Sequence, residues 1–244
     1  MHDQGCGTGR SALRTLSAAG LIAGLMIAAP AGAATRGFTI TSFDAIRVEA
    51  PVTIILTTGA GASARAEGDQ AMLDRLKLDV SGRLLTITAD RARNGTKSGG
   101  AATLRLSTGA LERVMLAGGG SLSINRMKGL RGDIIVGGNG DVSVAAVDLD
   151  QIGVTMAGGG RVALNGRAGV ATIRLSGPGT IAAEPLRARQ ATITNDGAGS
   201  LTLTTDVTAK IIATGSGNVT IAGKPACSVD NRGVGRVLCG GETY

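Results

Sequence analysis

The chain has 244 residues, of which 40 are glycine and only three are aromatic, two Phe and one Tyr with no Trp. Hydrophobic residues make up 43%, and the formal net charge is +7. Five prolines and the lack of a Gly-X-Y period exclude collagen, and this hydrophobic share with modest charge excludes a disordered chain, which leaves a globular or solenoidal protein of glycine and small aliphatic side chains.

The first 33 residues read as an address. Arg10 and Arg14 precede an apolar run from Leu16 to Ala29, and Pro30 is followed by the small-residue site Ala31-Gly32-Ala33. This is the order of a secretory signal peptide cleaved after Ala33. The run is shorter than the ~20 residues a membrane-spanning helix needs. Cys6 lies ahead of it, so no lipid anchor is expected. Cleavage takes Arg10 and Arg14 away with Asp3, and the formal charge falls from +7 to +6. It also removes His2, the single histidine. A chain without histidine has no Ser-His-Asp or Cys-His catalysis and no imidazole metal ligand. The residual positive charge fits an anionic partner. Export and the scarcity of aromatic rings for base stacking argue against nucleic acid.

Residues 34–110 read as capping strands. Phe38–Ile40, Ile46–Val48, Val52–Ile54, Leu84–Ile87 and Leu104–Leu106 are short apolar runs of strand type, and Val114–Leu116 follows them. Apolar positions 72, 73, 76 and 78 predict one or two helical turns over Gln70–Leu78. Arg91–Ala102 is polar and glycine-rich and reads as a surface loop.

Residues 111–244 are a repeat. Gly-x-Gly recurs at Gly118/Gly120, Gly138/Gly140, Gly158/Gly160, Gly177/Gly179, Gly197/Gly199, Gly215/Gly217 and Gly233/Gly235, at spacings of 18 to 20 residues. Each tripeptide is followed by an alternating apolar pair, from Leu122/Ile124 through Val142/Val144 to Val237/Cys239, and most are preceded by another short strand such as Val154–Met156. A period near 20 with two or three strands per unit predicts a β-solenoid, each Gly-x-Gly forming a corner. Two properties of glycine suit a corner: a free choice of positive φ, and room for backbones to approach. Cys227 and Cys239 are an even pair in an exported chain, which suggests a disulfide; two buried free thiols are the alternative.

Phe43-Asp44-x-Ile46-x-Val48, the Leu73–Val80 segment leading into Leu84–Ile87, the serial Gly-x-Gly units and Gly223-Lys224-Pro225 together resemble the head GIN domain family of bacterial autotransporter adhesins. The resemblance spans residues 38 to 240. It implies a right-handed parallel β-helix in an exported protein of adhesin-like role, and it brings no catalytic residues. The family's usual polar Ser-Gly-Ser-Gly-Asp/Asn unit is approached here only at Gly215–Asn218 and Gly138–Asp141. A self-translocating autotransporter also carries a C-terminal membrane barrel, and the last repeat here runs to Tyr244.

Little chemistry is legible. Gly137–Asp141 approaches a calcium nonapeptide, but its period is 20 and its aspartate does not recur, so no metal or other cofactor is expected. No Gly-x-x-x-x-Gly-Lys-Ser/Thr phosphate loop is present. Register places Asp148 one rung from Lys128, and Asp206 near the column of Arg187, as charge ladders between rungs. Cys227 lacks a histidine to activate it. Two functions remain open. One is a non-catalytic envelope module that binds a glycan or a protein, or is purely structural. The other is a lyase-like enzyme on anionic polysaccharide, for which Arg187, Arg189 and Lys210 are the basic candidates.

Overall fold

The computed structural model describes residues 34–91 and 100–244. The expected signal peptide and most of the expected 91–102 loop lie outside those residues. In chain order the elements are β1 (Ala34–Phe38), β2 (Ala45–Val48), β3 (Thr53–Thr58), β4 (Ser63–Gly68), α1 (Gln70–Arg75), β5 (Leu76–Ser81), β6 (Leu84–Ala89), β7 (Ala102–Thr108), β8 (Arg113–Leu116), β9 (Ser121–Ile124) and β10 (Met127–Val136). The long strands β11 (Asp141–Met156), β12 (Arg161–Leu175), β13 (Thr180–Asn195) and β14 (Ser200–Ala213) follow, and β15 (Val219–Gly223), β16 (Ala226–Asn231), β17 (Val237–Cys239) and β18 (Glu242–Thr243) end the fold. The architecture is the expected β-solenoid, with parallel coils of about 20 residues stacked in about six turns.

The coil has three walls, and the alternation of buried and exposed residues breaks twice within β11, β12 and β13 and once in β14, at Asp206–Thr208. In β11 it breaks at Ala145-Ala146 and at Asp150-Gln151. The Gly-x-Gly corner closes the circuit. The first wall faces inward with Leu122, Val142, Val162, Ile181, Leu201, Val219 and Val237 in one register column. The third wall does so with Val114, Ile134, Val154, Ile173, Ile193 and Ile211. All of these are at most 1% exposed. β-Branched and aliphatic side chains fit because each inward residue must pack between its equivalents one coil above and below. The second wall narrows to Ala168 and Ala188, which brings the opposing walls close without large side chains.

The N-terminal segment both extends this stack and closes it. β2 pairs in parallel with β8 on one side and β6 on the other, and β3 likewise lies between β9 and β7. Thus β6 and β7 form the outer coil although they follow β2 and β3 in sequence. Antiparallel β5 on β6, β4 on β7 and β1 on β4 finish this end, so the outer coil does not end in free parallel edges. Asp69 caps α1, its side chain accepting from the Met72 N–H at 3.2 Å. The helix stops at Arg75, short of the expected Leu78. Lys77 and Asp79 point outward while Leu78 and Val80 are half-buried, so antiparallel pairing with β6 takes this stretch as strand. The first strand is also displaced, ending at Phe38 rather than running from Phe38 to Ile40.

The corners overturn one expectation. Positive φ occurs at Gly59, Gly68, Gly82, Gly129, Gly166, Gly223, Gly240 and Gly241, and at none of the Gly-x-Gly positions. Those glycines are required by stacking alone. A Cβ added to Gly158 would fall on the carbonyl oxygen of Gly138, and one added to Gly160 on that of Gly140. Gly120 and Gly179 depart from the expected turn glycine in the same way. Neither has positive φ, and both are buried in the stack rather than exposed at a bend. Gly120 is covered by the N-terminal segment, where a Cβ would meet the Val52 carbonyl oxygen. A Cβ on Gly179 would stand 2.6 Å from the Gly160 carbonyl oxygen and 2.7 Å from the Met156 sulfur. The corner backbones instead bond to one another, Gly199 N–H donating to Gly177 C=O at 3.0 Å and Gly217 N–H to Gly197 C=O at 3.1 Å.

The two cysteines are bonded. Cys227 stands in the third-wall column of Ile152, Ala171, Ala191 and Ala209, and Cys239 in the first-wall column of Ala183, Leu203 and Ile221. The disulfide therefore ties two walls across the last coil.

Three polar residues, Thr108, Asn195 and Thr205, are fully buried in the interior. Asn195 is fully buried and stands at the end of the third wall, where its side chain accepts from Gly197 N–H at 3.3 Å, bracing the corner from inside. Asn231 repeats the placement two coils on and donates to Gly235 C=O at 3.1 Å. Thr205 is also fully buried, and its hydroxyl has no hydrogen-bond partner. An unpaired buried hydroxyl costs roughly 1–3 kcal/mol. Thr205→Val keeps the shape and removes the hydroxyl, so it is expected to stabilise the protein by about 1 kcal/mol. Urea unfolding measures this, and a lowered midpoint would contradict it.

Candidate binding groove on the third wall

Outward residues of the third wall form two columns. One runs Arg113, Asp133, Gly153, Thr172, Thr192, Lys210. The other runs Met115, Ile135, Thr155, Arg174, Thr194, Ile212. Gly153 is the one position in the first column without a side chain, the Asp133 carboxylate leans over it with Oδ1 2.6 Å from where a Cβ would stand, and a groove of about 490 Å³ lies here. The buried Ile134, Ile152 and Val154 underlie it, and Met115, Ile135 and Thr155 line it from the second column. Arg131 and Gln151, from the turn that precedes the wall, contribute as well.

The rim is basic. Arg113, Arg131 and Arg174 line the groove, and Asp133 is the one acidic residue that does so. Arg113 Nη2 stands 4.0 Å from Asp133 Oδ2, and Arg174 Nη2 is 2.8 Å from Asp196 Oδ2. Arg131 differs: its Nη2 donates at 2.8 Å to Gln151 Oε1, a neutral amide. Among the described residues no carboxylate pairs with Arg131. The site thus combines the aliphatic side chains of Met115 and Ile135, hydroxyls and one guanidinium whose charge has no counter-ion.

The second wall carries a different arrangement. Lys128 is in register with Asp148, as expected, but the carboxylate of Asp148 pairs with Arg167 at 2.8 Å on its other side. That hydrogen bond lowers the Asp148 pKa against a smaller opposing effect of burial, with further lowering from the charges of Arg167, Lys128 and Arg126. A lowered carboxyl pKa means that the pair stabilises the fold above the usual carboxylate range and is lost as pH falls through the folded-state value. The pair is exposed, and its contribution is small.

The basic candidates read from sequence are only partly brought together. Arg187 is hydrogen-bonded to Asp206 at 2.7 Å, and this raises its pKa. Arg189 is exposed at the turn between the second and third walls. Lys210 is in register with Thr192 on the third wall, so it stands away from Arg187.

The remaining sequence candidates have structural roles. The Asp141 carboxylate accepts from Arg161 N–H at 2.9 Å and Asn139 Oδ1 from Gly159 N–H at 3.0 Å, each holding the next coil. Among the described residues no three His, Cys, Asp or Glu side chains cluster to hold a metal. Cys227 is in its disulfide and offers no thiol. The groove went unseen in the sequence because its centre is a missing side chain. The signal that finds it is the 20-residue register, which sets Gly153 level with Asp133 and Arg131 level with Gln151.

The family model described as "Putative auto-transporter adhesin, head GIN domain" matches residues 42–225. The chain belongs to the head GIN domain family. Solved structures share the fold of this head GIN chain. A "putative adhesin" from Bacteroides fragilis superposes with a TM-score of 0.77 at 22% identity, over 85% of this chain and 97% of that one. A "putative adhesin" from Parabacteroides merdae gives 0.64 at 19% identity, over 86% and 96%. A "putative lipid binding protein" from Parabacteroides distasonis gives 0.62 at 21% identity, over 86% and 97%. No curated protein matches the chain. Among the described residues no helix is long and apolar enough to cross a membrane.

Proposed function

We propose that this head GIN chain is an exported, non-catalytic binding module of the cell envelope, and that it binds glycans along its third wall. The observation that carries the reading is the Gly153 groove, where the aliphatic Met115 and Ile135, threonine hydroxyls and guanidinium groups meet on one wall. Sugar rings present C–H faces and hydroxyls together, and such a mixed surface complements them. The groove extends into the Thr172 and Thr192 column, so a chain of sugars has further hydroxyls to follow. Membership of a family described as adhesin heads supports a binding role. One carboxylate lines the groove, whereas glycoside hydrolysis works with two carboxyls ~5–10 Å apart, which supports binding without turnover.

Export predicts a mature N-terminus at Ala34, where β1 begins, and intact mass after expression with the leader checks it. Binding is tested by applying the exported protein to a glycan array at low and high salt. Retention of a few related glycans at high salt supports a specific module. Retention of every anionic polymer, abolished by salt, reduces the observation to net charge. Cleavage of a retained uronate polymer would favour the enzyme instead.

A further inference from the structure

We propose that the Gly153 groove is a subsite for one acidic sugar unit, its carboxylate held by Arg131. This rests on the glycan-binding reading and narrows it to a chemical class. Arg113 and Arg174 each face a carboxylate of the protein, at 4.0 Å and 2.8 Å. They shape the rim and add little net charge. Arg131 donates through Nη2 to the Gln151 amide oxygen, a bond that fixes the guanidinium without neutralising it. Its remaining N–H groups are available for a forked pair of hydrogen bonds, the geometry that suits a carboxylate. The surplus at the site is therefore a single positive charge, matched to a single negative one.

Shape adds a second constraint. Gly153 has no side chain, so the Asp133 carboxylate leans over it, Oδ1 standing 2.6 Å from where a Cβ would be, and the depth lies between that carboxylate and Thr172 in the same column. Ile135 is 40% exposed beside it, with Met115 half-buried one coil away. An aliphatic shelf next to a guanidinium fits a pyranose that lays its C–H face on Ile135 while its ring carboxylate reaches Arg131. A free acidic side chain of a protein would meet the same charge but leave the shelf unused.

Calorimetric titration of the exported protein tests this, with trigalacturonate as the probe and its methyl ester as the neutral counterpart. Trigalacturonate is expected to bind, and its ester about tenfold more weakly or worse. Arg131→Gln is expected to weaken trigalacturonate by about the same factor and to leave the ester unchanged. Gly153→Thr fills the groove, but its Cβ would stand 2.6 Å from Asp133 Oδ1, so the Asp133 side chain must turn aside; it is expected to lower the unfolding midpoint only slightly while blocking both ligands. Arg189→Gln, at the turn outside the groove, is expected to change nothing. The proposal is overturned if the ester binds as tightly as the acid, if Arg131→Gln has no effect, or if polyglutamate binds as well as trigalacturonate. Should trigalacturonate fail while neutral glycans are retained on the array, the acidic-sugar inference falls and the binding module stands. If no glycan is retained, both fall.

Discussion

Gly158→Val is expected to destabilise the protein by about 3 kcal/mol or more, among the largest effects of any single substitution outside the disulfide. The nearest atoms to the new Cβ would be the Gly138 carbonyl oxygen and carbon, with Gly137 carbon at 3.1 Å. All are backbone, so no rotamer change relieves the clash. The coil would have to part from its neighbour, breaking hydrogen bonds in β10–β11 and β11–β12 pairing on both sides of the corner. Gly119→Ala is the control. It too lies in a corner tripeptide, but its Cβ would have nothing within 4 Å, and its φ is not positive. Its effect is expected to stay within about 0.5 kcal/mol. Urea unfolding of the two variants separates stacking from mere glycine content. Equal effects would contradict the account of the corners.

Breaking the Cys227–Cys239 disulfide is expected to cost about 3 kcal/mol, the amount a loop of this size gives in the chain-entropy model. The bonded residues are 12 apart in sequence. In a stack where each coil touches only its neighbours, the loss should stay local. Reduction is therefore expected to lower amide protection in β15, β16, β17 and β18 and to leave β2, β3, β8 and β9 unchanged. Hydrogen exchange before and after reduction measures this. Uniform loss of protection would contradict it and would show that the coils unfold as one unit. Cys227→Ala with Cys239→Ala repeats the test without a reductant.

The repeat was legible because each coil states its corner in two glycines and its inward face in an alternating pair. Val142/Val144 and Val219/Val237 all fall on the columns that the 18-to-20-residue period predicts. The same register anticipated the Arg187–Asp206 pair, and the even cysteine count anticipated the disulfide. The N-terminal order was not legible. β2 and β3 lie between coils that follow them in sequence, and parallel partners so far apart leave no periodic trace. Asn195 was hidden for a different reason. A polar residue at an inward position looks like the end of a strand until the corner N–H it accepts is seen. The groove was hidden because a strand glycine reads as a weak strand residue, and its use depends on which side chains flank it one coil away.

The central claim is that one wall of this solenoid is the binding face. A tryptophan wedge placed on the first wall, at the turn after the second wall and in the groove tests it most directly. Thr202→Trp changes the outward first wall, Arg189→Trp the turn after the second, and Thr155→Trp the groove itself. Retention of each exported variant is measured on the glycan that the unmodified protein holds best at high salt. The account expects Thr155→Trp to abolish retention while the other two keep it. Loss with Thr202→Trp or Arg189→Trp and retention with Thr155→Trp would place binding on another wall and contradict the claim.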